Sequence, residues 1–261
     1  MKSGVRYMRK ECFVVEKNEK VAEDTYKMIL RGNVGENLRA GQFVNIAING
    51  LYLRRPVSIA IWRSDSLVLY YKTVGKGTAL MADMVCGDEM ELLIPLGNGF
   101  SRELLGGNKP VLVGGGVGVP PMIGLAEEFL KDGISPVVVL GFNSKTQVFG
   151  EKEFEELASV YGRNIDLRVA TMDGSYGIKG TVVDALNRAE KEAGYLFACG
   201  PWPMLKALGA LPAKGQFSLE ARMACGFGAC MGCTCETQNG SKRICKDGPV
   251  LLKEEIKWQI P

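Results

Sequence analysis

Histidine is absent from all 261 residues of the chain. That removes imidazole from each of its usual roles: Rieske-type cluster ligation, histidine-based zinc sites, and the Ser–His or Cys–His pairs of nucleophilic catalysis. A long apolar run is missing too. The longest stretch without a charged residue, 110–126 "PVLVGGGVGVPPMIGLA", is too short and too broken by glycine and proline to read as a membrane span. The N-terminal "MKSGVRYMRKECFVVEKNEK" alternates charge with short apolar pieces and lacks the apolar core of a secretory signal, so a cytoplasmic protein with no membrane segment is expected. Excess charge is also small: a net +3 with scattered Lys and Arg leaves no footprint for nucleic acid. At 46% hydrophobic and 23% charged the composition is ordinary for globular proteins, and the length suits one large or two modest domains plus an appendage.

Cysteine, by contrast, is concentrated. Five of the eight cysteines fall within residues 223–245, "MACGFGACMGCTCETQNGSKRIC". Without a secretory signal such a cluster points to metal ligation before disulfides. Cys225, Cys230 and Cys233 read C-x4-C-x2-C and Cys245 follows a polar stretch. This is the order of plant-type 2Fe-2S ligands with a shortened last gap. Gly226, Gly228, Ala229 and Gly232 leave room for a loop that wraps a cluster and aims backbone N–H groups at its sulfurs. Structural zinc is the alternative, because Cys230 and Cys233 also form a CxxC half-site. Cys235 falls outside the order and is expected to be a buried thiol; Cys12 and Cys86 are expected in the core.

A cluster moves single electrons, so a second redox station is needed. From "KPVLVGGGVGVPP" through "MIGLAEEFLKDG", "SPVVVLGF", "EKEFEELASVYG", "IDLRVAT", "TVVDALNRAEKEAG" and "YLFACG" to "PMLKALGAL", strand-like and helix-like segments alternate. That is the rhythm of βαβ units on a parallel sheet. Gly114, Gly115, Gly116 and Gly118 lie between the first strand and its helix, where a pyrophosphate can approach the backbone; a purely structural turn is the alternative. Pro120 and Pro121 depart from the usual dinucleotide fingerprint.

The first hundred residues differ. "CFVVEKNEKV", "TYKMILRG", "QFVNIAI", "VSIAIW", "LVLYYKTV" and "MELLIPLG" predict six short strands of a small antiparallel barrel. Within it, "RRPVS" at 54–58 and "YYKTVGKGTALM" at 70–81 combine an arginine, a serine and a Gly-Thr helix start that could hold a flavin diphosphate; a basic edge strand and an ordinary helix cap would explain them as well.

In this order, barrel, "GGGVGVPPM" with "ACGPWPML", and a C-terminal cysteine loop resemble the ferredoxin-reductase-like superfamily. "RRPVS", "GKGT", "SLEARMACGFGACMGCTC" and "CKDGPV" are similar, more specifically, to electron-transfer subunits of NAD-linked dihydroorotate dehydrogenase. The resemblance implies FAD at Arg55, Pro56, Val57 and Ser58, at Tyr70, Tyr71 and Lys72, and at Gly77 and Thr78, with Arg55 at the diphosphate and Ser58 near the reactive ring edge. It implies a 2Fe-2S cluster on Cys225, Cys230, Cys233 and Cys245. It implies NAD at Gly114, Gly115, Gly116 and Gly118 and at Cys199, Gly200 and Pro201. Many ferredoxin reductases carry an aromatic residue where Val57 stands, so a stacking contact from that position is lost. The resemblance further implies an FMN-containing catalytic subunit as partner, in a heterotetramer of two of each chain. The expected domains are 1–103 for FAD, 104–220 for NAD and 221–261 for the cluster. Lys145 in "GFNSKTQVFG" is read as a solvated loop lysine, with a 2′-phosphate ligand as the alternative, and the resemblance implies NAD. Two rivals stand beside it: a flavin and iron–sulfur reductase of the ferredoxin-NADP reductase or hydrogenase type, and a zinc-bearing binding module with an inert nucleotide fold.

Overall fold

In the computed structural model, which describes residues 8–258, the first six strands close on themselves. Residues 1–7, the head of the N-terminal stretch read above, and 259–261 lie outside the described residues. The strands are β1 (Arg9–Ala22), β2 (Thr25–Arg31), β3 (Phe43–Ile46), β4 (Arg55–Trp62), β5 (Ser66–Lys72) and β6 (Glu89–Leu96), in barrel order β1-β2-β5-β4-β3-β6. Period-two alternation dictates the closure: in β6, Met90, Leu92, Ile94 and Leu96 are buried while their neighbours are more exposed. The interior is filled by Phe13, Val15, Met28, Leu30, Ile59 and Leu69 among others. Helix α1 (Lys76–Ala82) links β5 to β6.

The expectation for two cysteines fails here. Cys12 and Cys86 are exposed, not core residues. Phe13 and Val15 take the inward positions of β1, which turns Cys12 outward, and Cys86 lies in the turn ahead of β6.

The second half is the expected α/β layer. Strands β7 (Pro110–Gly115), β8 (Val137–Phe142), β9 (Asp166–Thr171), β10 (Ile178–Lys179), β11 (Tyr195–Cys199) and β12 (Lys214–Ser218) alternate with helices α2 (Val119–Lys131), α3 (Glu151–Tyr161), α4 (Val182–Ala185), α5 (Arg188–Ala193) and α6 (Trp202–Gly209). All six residues of β7 are buried, as a central parallel strand covered on both faces requires. "TVVDALNRAEKEAG" forms two short helices instead of one. Asn187 interrupts it and caps α5, accepting from the Glu190 N–H, while the Glu190 carboxylate is held by Arg168.

The cysteine-bearing tail does not stand apart. It forms the hairpin β13 (Thr234–Thr237) and β14 (Gly240–Arg243), and then β15 (Val250–Leu252) pairs antiparallel with β12 to complete the sheet order β10-β9-β8-β7-β11-β12-β15. Cys233, Ile244 and Cys245 share one core with Phe43 of the barrel and Phe217 of the sheet. Barrel and sheet meet as closely: a Cβ on Gly124 of α2 would stand 2.6 Å from the Ala60 carbonyl of β4.

Candidate functional site

The four expected ligand cysteines come together as two linked pairs. The Cys230 N–H donates to Cys225 Sγ at 3.4 Å, and the Cys245 N–H donates to Cys233 Sγ at 3.4 Å. The Gly232 N–H points at Cys230 Sγ at 3.5 Å. Such a turn needs left-handed backbone: φ is 80° at Gly226, 89° at Gly228 and 61° at Met231. Burial by itself raises the Cys225 thiol, but N–H groups of Cys230, Phe227 and Ala229 converge on its sulfur and bring it down to about 6. Burial and the neighbouring Cys233 push Cys245 up to about 12; ligation to a metal removes such a proton. Among the described residues no three metal-ligating side chains converge as a single ion requires. Four thiols in two pairs, with backbone N–H groups on three of the sulfurs, fit a two-iron cluster. Cys235 stays outside, half-buried on β13.

The loop is docked on the barrel. Asn45, fully buried on β3, donates from Nδ2 to the Cys225 carbonyl at 3.3 Å. β3 also pairs with β4, so Asn45 faces Pro56 and Phe43 faces Ser58.

β4 sorts its motif by parity. Val57 is buried in the barrel interior and offers only backbone outside; Pro56 and Ser58 belong to the outer face, where Ala60 packs against α2. The two arginines separate as well. Arg54 is paired with Glu91, whereas Arg55 among the described residues bonds only the carbonyls of Leu53 and Arg54. Its guanidinium crosses Gly77, where a Cβ would overlap it. Thr78 is turned inward: Oγ1 accepts from the N–H groups of Val74 at 2.9 Å and Gly75 at 3.3 Å and closes the start of α1. Neither tyrosine of the next strand offers a free hydroxyl. Tyr70 donates to Glu153 of α3 and stacks on Phe149 at 5.5 Å, and Tyr71 donates to Asn18 at 2.9 Å and stacks on Tyr26. Asn18 in turn holds the Met81 and Met84 carbonyls at the end of α1, so Tyr71 acts on that helix through Asn18. Lys72 is paired with Asp24 at 2.6 Å.

A cleft of 540 Å³ opens beyond Lys72, lined by Gly115 at the end of β7 and Gly116 after it, Asn143 after β8, Met172 after β9, Pro201 after β11 and Glu220 after β12. These are the carboxyl ends of parallel strands. Strand order reverses between β7 and β11, so the cleft straddles the topological switch point. Gly114 is sterically required there, since its Cβ would stand 2.8 Å from Val119 Cα, while a Cβ on Gly115 would stand 2.6 Å from the movable Met204 Sδ. Gly200, with φ 155°, brings its backbone against Gly115. Val119 opens α2 with Pro120 and Pro121 in its first turn, positions that need no N–H partner. Cys199 ends β11 buried behind the cleft, its thiol pushed up to about 12 by burial and by Glu220. Glu220 opens onto the cleft, and desolvation raises its carboxyl. Lys145 lies away from it, 5.8 Å over the Tyr176 ring. Sequence reasoning missed Asn45, Asp24 and Glu220; only Glu220, two residues past the end of β12 in "SLEARM", carried a usable signal.

The chain matches two family models: the iron–sulfur cluster binding domain of dihydroorotate dehydrogenase B over residues 220–257, and the oxidoreductase NAD-binding domain over residues 112–209. It is 44% identical to the dihydroorotate dehydrogenase B (NAD(+)) electron transfer subunit of Fusobacterium nucleatum, covering 96% of this chain and 99% of the relative. The same subunit from Geobacillus sp. WCH70 is 39% identical over 95% and 99%. Among solved structures, an NADH-dependent reduced ferredoxin-NADP oxidoreductase aligns with a TM-score of 0.82 at 28% identity over 98% of this chain and 91% of that one. The flavohem-like FAD/NAD binding domain of a Vibrio cholerae nitric oxide dioxygenase shares the fold alone, with a TM-score of 0.63 at 20% identity over 76% and 90%. With barrel, switch-point cleft and cysteine loop in place along a full-length match, the chain belongs to the family of dihydroorotate dehydrogenase B (NAD(+)) electron transfer subunits.

Proposed function

We infer that this chain is the electron-transfer subunit of a cytoplasmic dihydroorotate dehydrogenase, carrying electrons from the FMN of a catalytic partner through a 2Fe-2S cluster and FAD to NAD. The observation that carries this is the pairing of Cys225 with Cys230 and of Cys233 with Cys245 on a loop seated beside the β4 motif. A cluster passes single electrons and nicotinamide takes a hydride; the flavin supplies the conversion between them.

The chain's own residues bind and orient. Cys225, Cys230, Cys233 and Cys245 hold the cluster. Arg55, with no carboxylate partner among the described residues, and the Gly77–Thr78 start of α1 take the FAD diphosphate. The outer face of β4 at Pro56 and Ser58 borders the flavin ring. Val57, Tyr70 and Tyr71 support this site from behind, and Lys72 closes its edge toward the cleft. Gly114, Gly115, Gly116 and Gly118, with Cys199, Gly200 and Pro201, form the NAD floor. The family favours NAD as the nicotinamide partner, with Lys145 exposed over the Tyr176 ring. The segments 1–103, 104–220 and 221–261 correspond to FAD, NAD and cluster functions, and two copies of this chain join two of the partner. No acid or base for dihydroorotate is assigned to this chain, so the pyrimidine is oxidised on the partner.

An anaerobic visible spectrum of the native complex, before and after dihydroorotate and in parallel with NADH, tests this. Bleaching of flavin and cluster bands by both reagents is expected. Bleaching by NADH alone would move the chain to a sister reductase, of which the 28%-identical ferredoxin-NADP oxidoreductase is the structural precedent.

A further inference from the structure

Two pairs of cysteines become one ligand set only if something holds the pairs together. Met231 and Gly232 join Cys230 to Cys233 along the chain. Between Gly228 and the turn that carries Cys245, the tie is a side chain. Arg243, the last residue of β14, donates from Nη1 to the Gly228 carbonyl at 3.2 Å, and from Nε and Nη2 to the two carboxylate oxygens of Asp247 at 2.8 Å and 3.0 Å.

Arg243 and Asp247 enclose Cys245 in a tight turn. The Asp247 N–H donates to the Arg243 carbonyl at 2.8 Å, and the Arg243 N–H donates to Asp247 Oδ2 at 2.9 Å. An exposed ion pair ordinarily contributes little, but a forked guanidinium gripped at both carboxylate oxygens has few rotamers left, so its remaining N–H is aimed. It meets the loop where the loop lies closest. Gly228 has φ 89°, and a Cβ there would stand 2.6 Å from Cδ of Lys246, the neighbour of Cys245. The contact bears on the sulfurs from both sides. Burial raises the Cys245 thiol and the Gly228 N–H acts against that rise, while Asp247 first, and Cys245 and Cys233 after it, favour the charged guanidinium.

We propose that Arg243 is a positioning residue of the cluster site: braced on Asp247, it holds the Gly228 carbonyl, brings the two cysteine pairs into one ligand set, and with Asp247 keeps the charge beside the cluster balanced. The proposal rests on the ligand set inferred above. Substitution separates the hold from the charge. Arg243→Lys keeps the charge, but a single ammonium lacks the fork that grips both oxygens and reaches Gly228. Arg243→Met leaves Asp247 unopposed. Asp247→Asn leaves the guanidinium charge unopposed and unbraced.

The test uses the purified complex with its partner subunit. Iron and sulfide are measured first in the wild type; their absence there would overturn the ligand set and the proposal with it. With the cluster present, the rate of iron loss to a chelator, the electron paramagnetic resonance g values of the reduced cluster, and its midpoint potential are compared. Arg243→Lys and Arg243→Met are expected to lose iron about 10–100-fold faster than the wild type, the usual effect of removing a group that orients a metal ligand, and to shift the g values. Reduction adds negative charge to the cluster, so Arg243→Met should lower the potential and Asp247→Asn should raise it. Wild-type iron retention and g values in Arg243→Lys would overturn the proposal, because charge alone would then suffice. Potentials that move in the same direction in Arg243→Met and Asp247→Asn would overturn the charge balance. If neither Arg243 variant can be loaded, Asp247→Asn decides: a raised potential supports the proposal, and an unmoved potential with unmoved g values overturns it.

Discussion

Gly118 lies directly against the carbonyl of Cys199: a Cβ at Gly118 would overlap that oxygen and stand 2.6 Å from the Gly200 nitrogen. The start of α2 and the end of β11 are therefore pressed together across the switch point, and both walls of the cleft floor depend on the missing side chain. The obstructing atoms are backbone, so no rotamer change can clear them. Gly118→Ala is expected to destabilise the protein by about 1–3 kcal/mol, the usual cost of overpacking, and to weaken NADH binding. Thermal melts and flavin reduction by NADH check both effects.

Gly77 poses the opposite case. The atoms a Cβ would meet belong to the flexible Arg55 side chain, so Gly77→Ala should fold with little loss of stability. In the FAD site proposed above, displacing the guanidinium would remove a charge-assisted contact of about 1.5–3 kcal/mol. FAD is expected to be lost on dilution, read from the flavin-to-protein ratio after gel filtration, with an unchanged melt of the apoprotein.

Cys230→Ser should eliminate the cluster and abolish dihydroorotate-dependent NAD reduction, while NADH oxidation with an artificial acceptor persists. Loss of both activities would count against separate stations. Removing the cluster should also loosen the tail locally. Hydrogen exchange is expected to rise over residues 225–233, whereas Val250–Leu252, paired to β12, stays protected.

Glu153 joins α3 to the barrel through Lys27 at 2.7 Å and the Tyr70 hydroxyl. Burial alone would raise its carboxyl, but Lys27 and Tyr70 outweigh that and hold it below its ordinary 4.5. A depressed acid contributes stability that is present above its unfolded value and lost as pH falls through the folded one. Glu153→Gln should therefore cost about 1.5–3 kcal/mol near neutral pH. The gap to wild type should narrow below pH 4.5. Melting curves across pH give the answer; a constant gap would show that the ionised carboxylate is not what matters.

Much of this architecture was legible along the chain. Alternation at Met90, Leu92, Ile94 and Leu96 marks a barrel strand because side chains switch faces at every residue, and the buried run of β7 marks a central parallel strand. The cysteine spacing identified its chemistry because a cluster ligand set is mostly local. Cys12 misled, since thiol composition suggests burial while only the phase of Phe13 and Val15 says which way it turns. Tyr70 and Tyr71 look equivalent as neighbours, yet one stacks on Phe149, ahead of α3, and the other on Tyr26 within the barrel.

By itself the sequence determined the strands and the glycine turn and singled out four thiols by their spacing, through periodicity, backbone freedom and short range. Tertiary structure alone decided that Arg54 and not Arg55 pairs with Glu91, that β15 ties the cysteine tail into the sheet, and that Asn45 meets Cys225. Those outcomes depend on which distant strands pair and in what register, and pairing between segments far apart in the chain leaves no local trace in either segment.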